Sequence, residues 1–293
     1  MGRFPEIELD EEQFDAIGLA VETLSEARSF EEKLELLLAN YVDIETEALR
    51  IATDLMVRGF RGYEQSYDAR LSINRRVISL LTTARLYIDS VSRHIGCIMG
   101  TNFNKKRVKE KFSHHYDKTF DYRFMEALRN SVQHHAIPCD SFSFPMMRDE
   151  SDESEPILYS FDAYVLKMEL KKDKKFKKSI LDEMPDKVDI CQASREYIDA
   201  VMAVHIELRD LIEDEVGRAR ELVQDYRNKY RSLYEGKNPI GLKAICRNDD
   251  GTPSHTIDLL LDWDNQRARL AKLNRRRGQL ARAVVLSRTK RKD

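Results

Sequence analysis

The stretch Phe120-Asp121-Tyr122-Arg123-Phe124-Met125-Glu126-Ala127-Leu128-Arg129-Asn130-Ser131-Val132-Gln133-His134-His135-Ala136-Ile137-Pro138 brings together a permanent cation, a neutral amide and an imidazole. On a helix turning about 100° per residue, Arg129, Gln133, Glu126, Asn130, Arg123 and His134 share one arc of about 140°. Phe120, Phe124, Ala127, Leu128, Ser131, Val132 and His135 fall on the opposite arc, so the spacing predicts a polar outer face backed by a core seam. Imidazole, with a reference pKa of about 6.5, takes up and returns protons at neutral pH, and guanidinium grips a phosphate diester through two parallel hydrogen bonds. These are the parts needed to cleave RNA without a metal: a base for the 2′-hydroxyl, a clamp for the non-bridging oxygens and an acid for the leaving oxygen. A solvated helix face with a histidine near its C terminus, where the dipole favours a cation, accounts for the same residues.

Other chemistries find less support. The phosphate-loop, dinucleotide-binding, EF-hand, HExxH and GxSxG signatures are all absent. His114-His115 and His134-His135 are adjacent pairs, and neighbouring helical residues point about 100° apart, so neither pair suits a single ion. No metal site and no cofactor are expected. Cys97, Cys139, Cys191 and Cys246 are widely spaced without a Cys-x-x-Cys pair, which reads as reduced thiols of a cytosolic protein.

The elements that must carry these residues are helical. Only 11 glycines and 7 prolines occur in 293 residues, with no proline between Pro5 and Pro138, which argues against a sandwich, a barrel or a glycine-looped nucleotide fold. Ser29 and Glu32 have the spacing of a capping box, predicting a helix over about 30–58 that Gly59 and Gly62 end. A second helix is predicted over about 63–95, ended by Gly96 and Gly100; a short basic stretch over about 104–115 then leads to a third, the motif helix, over about 118–135, stopped by Pro138. Phe142–Phe144 and Ile157–Val165 flank an acidic loop and predict an inserted β-hairpin over about 140–168. A helical pattern over about 190–234 would be about 65 Å long, which requires a coiled-coil-like arm, a partner chain or a break near Gly217. A second hairpin over about 242–261 and a basic helix from about Trp263 complete the chain. Two regions follow: a helical domain over 1–235 containing the hairpin, and a C-terminal hairpin with a basic helical segment over 236–293.

Charge is uneven along the chain despite a net value of −2. Acidic residues dominate from Arg3 to Arg58, whereas from Arg267 to Lys292 there is no carboxylate side chain and eleven residues are basic. A basic end of this kind suits a polyanion through counterion release, although a solvated tail or pairing with the acidic N terminus also fits. The start is acidic and no run approaches about 18 apolar residues, so a soluble, cytoplasmic protein without membrane contact is expected.

Arg129-Asn130-Ser131-Val132-Gln133-His134 resembles the signature of the HEPN superfamily, in which Arg, a polar residue and three variable residues precede His. The setting adds to the likeness: the motif lies near the end of an amphipathic helix, and the long helix before it carries Asn74-Arg75-Arg76 and Ala84-Arg85-Leu86-Tyr87. The Leu-Arg-Asn-x-Val-Gln-His string followed by Pro138 is also similar to one group of bacterial HEPN-like proteins. The resemblance spans about 30–235 and implies a mainly α, HEPN-like helical bundle with long helices, acting as a metal-independent RNA endonuclease. It implies that Arg129 holds the scissile phosphate, His134 serves as general acid and base, and Asn130 orients one of them, with two copies of the motif meeting across a homodimer interface. Arg123, Gln133, Lys171, Lys172, Arg275, Arg276 and Arg277 are the expected RNA contacts. A toxin or antiviral defence effector, with an antitoxin or regulatory partner, is the biological setting the likeness suggests. Ala136 stands where adenylylation-controlled HEPN toxins carry tyrosine, so that control is not expected here. The alternatives are a non-catalytic HEPN-like dimerisation module and a nucleic-acid binder acting through the basic C terminus.

Overall fold

The computed structural model describes residues 5–132, 137–147, 157–234, 240–275, 280–283 and 285. The fold is mainly α, as expected: among the described residues eight α-helices are joined by seven short strands. No helix among them is long and apolar enough to cross a membrane.

Helix α1 spans Glu11–Arg58 and begins well upstream of the expected start. Its reciprocal capping box is Asp10 with Gln13: the Gln13 amide donates to the Asp10 carboxylate at 2.7 Å and the Asp10 amide donates to the Gln13 side-chain oxygen at 3.2 Å. From there Ile17, Ala20, Leu24, Ala27, Phe30, Leu34 and Leu37 recur every three or four residues and are buried, so Ser29 sits mid-helix without a terminus to cap. The end is the expected one. Gly59, at φ +70°, turns left-handed and donates its N–H to the Leu55 carbonyl at 2.8 Å.

Helix α2 runs Tyr63–Met99 and stops at Gly100, φ +51°. Gly96, expected to mark the end, stays helical; a Cβ there would lie 3.3 Å from the Phe103 ring, which packs where the missing side chain leaves room. Helices α3 (Lys105–Lys118) and α4 (Phe120–Val132) follow, and the last expected residues of the motif helix, Gln133 to His135, lie outside the described residues.

The inserted hairpin is more elaborate than expected. Strands β1 (Ser141–Ser143) and β4 (Asp162–Leu166) pair antiparallel with Phe142 opposite Ala163, but β5 (Lys187–Asp189) adds a third strand in the order β1-β4-β5. β2 (Met146–Met147) and β3 (Leu158–Tyr159) form a separate two-stranded ladder. Two short helices, α5 (Lys167–Leu170) and α6 (Lys178–Glu183), connect β4 to β5. Helix α7 runs unbroken over Ile190–Leu233, starting where the Asp189 carboxylate accepts the Cys191 and Gln192 amides, and it does not break at Gly217. The second expected hairpin is present as β6 (Lys243–Arg247) and β7 (Pro253–Asp258), followed by α8 (Asp262–Leu273).

The chain forms two compact units, each assembled from separated segments. The first takes Met1–Glu35, Ile88–Val108 and Ile206–Arg276; the second takes Leu36–Tyr87, Lys109–His205 and Arg277–Asp293. The first core holds Ile17, Leu24, Phe30, Leu34, Val91, Ile95, Leu208, Val223 and Leu270. The second holds Leu37, Ile44, Ile73, Val77, Leu80, Phe124, Leu128, Tyr197 and Val201.

Carboxylates of α1 that enter these cores are all paired. In the first unit Glu31, 2% exposed, takes a two-pronged pair from Arg209 at 2.7 Å on each arm. Glu26 accepts from buried His94 Nδ1 at 2.5 Å and from Arg93 at 2.9 Å, while Lys33 Nζ lies 2.5 Å from His94 Nε2. These partners assign a neutral imidazole with its proton on Nδ1, because the Lys33 ammonium donates to Nε2. In the second unit Glu45 pairs with Arg195 at 2.6 and 2.8 Å, and Glu47 holds Arg50, Arg76 and the Ser72 hydroxyl.

Removing one member of a buried pair strands the other. Glu31→Leu is expected to lower unfolding free energy by about 3 kcal/mol, and the double variant Glu31→Leu/Arg209→Leu to recover most of that loss; urea midpoints check both.

The His94 cluster adds a pH dependence. Burial, reinforced by Lys33 and Arg93 and opposed by Glu26, holds the His94 imidazole below its usual 6.5. Burial works to raise the Glu26 carboxyl, but hydrogen bonds and charge from His94 and Arg93 outweigh it and hold it below 4.5. The unfolded chain binds the His94 proton first as pH falls, so this stability is complete above about 6.5 and is lost on acidification through that value toward the lower folded pKa. The Glu26 contribution has the same sign and is lost at lower pH, below about 4.5. His94→Gln keeps a donor and an acceptor without titrating, and is expected to flatten the stability profile between about pH 7 and pH 5, as followed by denaturant unfolding.

Candidate functional site

Helix α4 carries the motif and belongs to the second unit. It is packed on more of its circumference than a single amphipathic face allows. Phe124, Met125, Ala127 and Leu128 are buried, and so is Tyr122, whose ring lies 5.0 Å from that of Tyr197 on α7. Tyr122 and Met125 flank the angular position of Arg129, so that edge of the arc expected to face outward is inside. Arg129 is 6% exposed, a correction to the outer face expected for it; Asn130, one residue on, is exposed.

A chain of hydrogen bonds holds the buried guanidinium. Tyr197 donates its hydroxyl proton to Glu126 Oε1 at 2.6 Å, and Glu126 Oε2 accepts from Arg129 at 2.7 Å. Burial, followed by the Glu126 charge, raises the Tyr197 hydroxyl far above its ordinary range, which keeps it a donor. A second Arg129 nitrogen donates to the Asn130 side-chain oxygen at 3.1 Å. Arg129 Nε is buried without a hydrogen-bond partner among the described residues.

Arg123, on the same helix, holds the fold. Its guanidinium donates to the Tyr116 and Asp117 carbonyls at the end of α3, each at 3.1 Å, and to Glu183 of α6. Gln133 and His134 lie outside the described residues, as do Arg276 and Arg277. Arg275 is exposed after α8 and belongs to the first unit, whereas Lys171 and Lys172, also exposed, belong to the second.

Two side chains anchor the surroundings of the α4 C terminus. Ser131 donates its hydroxyl proton to Asp173, between α5 and α6, at 2.6 Å. Asn74 of α2 accepts the Cys139 amide at 2.7 Å and donates to the Cys139 carbonyl at 3.2 Å, pinning the chain that follows α4. Between these anchors lies a cavity of about 540 Å³, whose wall includes Arg70, Ile137, Asp140, Lys172, Lys174 and Lys175. Burial pushes the Asp140 carboxyl above its usual range. Lys172 is paired with Glu169 at 2.6 Å, while Lys174 and Lys175 are exposed with no ion pair among the described residues. Cys139 and Cys191 are buried thiols; burial pushes Cys191 up to about 12, and both are poor nucleophiles at neutral pH. Among the described residues no group of three or more His, Cys, Asp or Glu side chains is placed to hold a metal ion.

Sequence reasoning brought Arg129, Asn130 and Lys172 into view but not Tyr197, Glu126 as a link, or Arg70. The only advance signal for Glu126 was its place three residues before Arg129, the spacing of a helical ion pair. Comparison with protein-family models, curated proteins and solved structures returned no match.

Tyr197→Phe fits the same space and removes only the donor to Glu126. It is expected to lower stability by about 2 kcal/mol, measured by urea unfolding, because one oxygen of a largely buried carboxylate loses its partner.

Proposed function

We propose that the chain is a metal-independent RNA endonuclease of the HEPN type, acting as a cytoplasmic homodimer in which two copies of the motif form one composite site. The observation that carries this reading is the cavity at the end of α4, where Arg70, Lys172, Lys174 and Lys175 stand with Asp140, Glu169 and Asp173, joined to the motif helix by the Ser131–Asp173 hydrogen bond. A polyanion held there lies close to the end of the helix that carries Arg129 and Asn130. Arg129, already charged and fixed by Glu126, supplies a positioned cation; His134 supplies proton transfer; Asn130, exposed beside Arg129, orients the phosphate or the imidazole. The resemblance of the motif to HEPN nucleases supports the same roles, a composite dimeric site, and a toxin or defence setting with an antitoxin or regulatory partner.

A second reading has its own observation. Arg129 is buried and linked through Glu126 to Tyr197, as expected of a structural cation in a non-catalytic interaction module. The two readings separate experimentally at the residues to which the nuclease reading gives a chemical role. Arg129→Ala leaves the Glu126 carboxylate without its cation and is expected to lose stability as well as activity. Asn130→Ala and His134→Ala are the cleaner probes: cleavage of single-stranded RNA in EDTA is expected to fall by at least about 100-fold in His134→Ala with the unfolding midpoint unchanged. Equal cleavage by wild type and His134→Ala overturns the nuclease reading, and no cleavage by either favours the interaction module.

A further inference from the structure

We propose that one face of α2 and the lysine-rich turn between α5 and α6 together form a track for single-stranded RNA, with Tyr63 and Tyr67 stacking on bases and Arg70, Lys174 and Lys175 holding the phosphates. The inference rests on the ribonuclease reading for its choice of RNA, and it assigns binding to residues outside the motif.

Tyr63, Tyr67 and Arg70 are separated by four and three residues, which places them within about 60° of one another on the helix. They span about 10 Å along the axis, room for about two nucleotides. Tyr63 is 80% exposed and Tyr67 46%, and their rings stack on each other with centroids 6.2 Å apart. Two large aromatic rings stacked side by side, one almost wholly in solvent and the other half exposed, leave aromatic faces open to a ligand. They present the sequence-tolerant platform that unpaired bases use, whereas a duplex keeps its base faces inside.

Arg70 continues the same stripe into the cavity wall. Its Nε is buried and has no hydrogen-bond partner among the described residues, an unsatisfied state that an incoming phosphate oxygen relieves. Across the cavity stand Lys174 and Lys175, free of ion pairs among the described residues, with Lys172 already engaged by Glu169. The next residue of the stripe, Asn74, grips Cys139, so the track ends where the chain leaves α4. A strand lying on the two rings with its phosphates in the cavity is thereby led to the motif. Asp140, Glu169 and Asp173 in the same wall limit how many phosphates fit, which favours a short contact over a long polyanion groove.

The test is binding of a fluorescein-labelled single-stranded RNA free of secondary structure, followed by anisotropy, with all variants in the His134→Ala background so that turnover plays no part. With three cations engaged, the logarithm of the association constant is expected to fall with the logarithm of salt concentration at a slope of about −2, and Arg70→Gln to reduce that slope by about 0.7. Tyr67→Ala is expected to weaken binding about tenfold. Lys174→Glu/Lys175→Glu, on exposed positions, checks the electrostatic part if Arg70→Gln perturbs folding. Loss of binding in these variants supports the track even if the wild-type chain cleaves nothing. Unchanged binding in all three, absence of binding to single strands, or equal binding of duplex RNA overturns it even if the chain proves to be a nuclease.

Discussion

A carboxylate carried into an apolar core must meet a cation there, and α1 carries several. Glu26, Glu31, Glu45 and Glu47 each find partners on the same helix, on α2 or on α7. Apolar stripes tolerate a slip along a helix because one leucine replaces another, but a guanidinium seated on both oxygens of a carboxylate does not. The Arg209–Glu31 and Arg195–Glu45 forks therefore set the register of α7 against α1, once in each unit. Everything displayed by α7, including the Tyr197 hydroxyl, inherits its height from those forks.

The same rule operates at smaller scale around Arg129. Its cation is inside because Glu126 is inside, and Glu126 is tolerated there because Tyr197 reaches it from another helix. One consequence is that the motif arginine arrives with its orientation settled, without a ligand. Asn130 faces solvent beside it, and Ser131, the next residue, reaches Asp173 in the cavity wall.

How much of this was legible in the sequence depended on whether the signal was local. Gly59 and Gly100 end their helices in left-handed conformation; the first end was readable, while the second was expected at Gly96, four residues early. The hairpins on either side of the acidic loop and around Gly251 were readable for similar reasons. The start of α1 was misplaced because Ser29–Glu32 and Asp10–Gln13 both have capping spacing, and only the continuing burial of Ile17 to Ala27 separates them. β5 escaped notice because three residues ahead of a helix have no periodicity to detect. The direction of Arg129 was misjudged for a different reason. A helical wheel assumes one packed side, and α4 has Tyr122 and Met125 packed on the side where the wheel placed solvent. Tyr197 and Arg70 reach the site through space alone, from sequence distances at which no spacing rule applies.

Both cores are stitched from segments far apart in the chain, and α1, α2 and α7 each donate residues to both. That arrangement imposes an order in time. During synthesis, neither core can close until α7 emerges: the second needs its Tyr197 and Val201, and the first its Leu208 and Val223. Until then the long α1–α2 pair must persist with its apolar stripe uncovered, a hazard that a chain built of consecutive domains avoids. The interleaving also means that the first core cannot be cut out as one fragment without carrying Leu36–Tyr87 and Lys109–His205 of the second unit along with it.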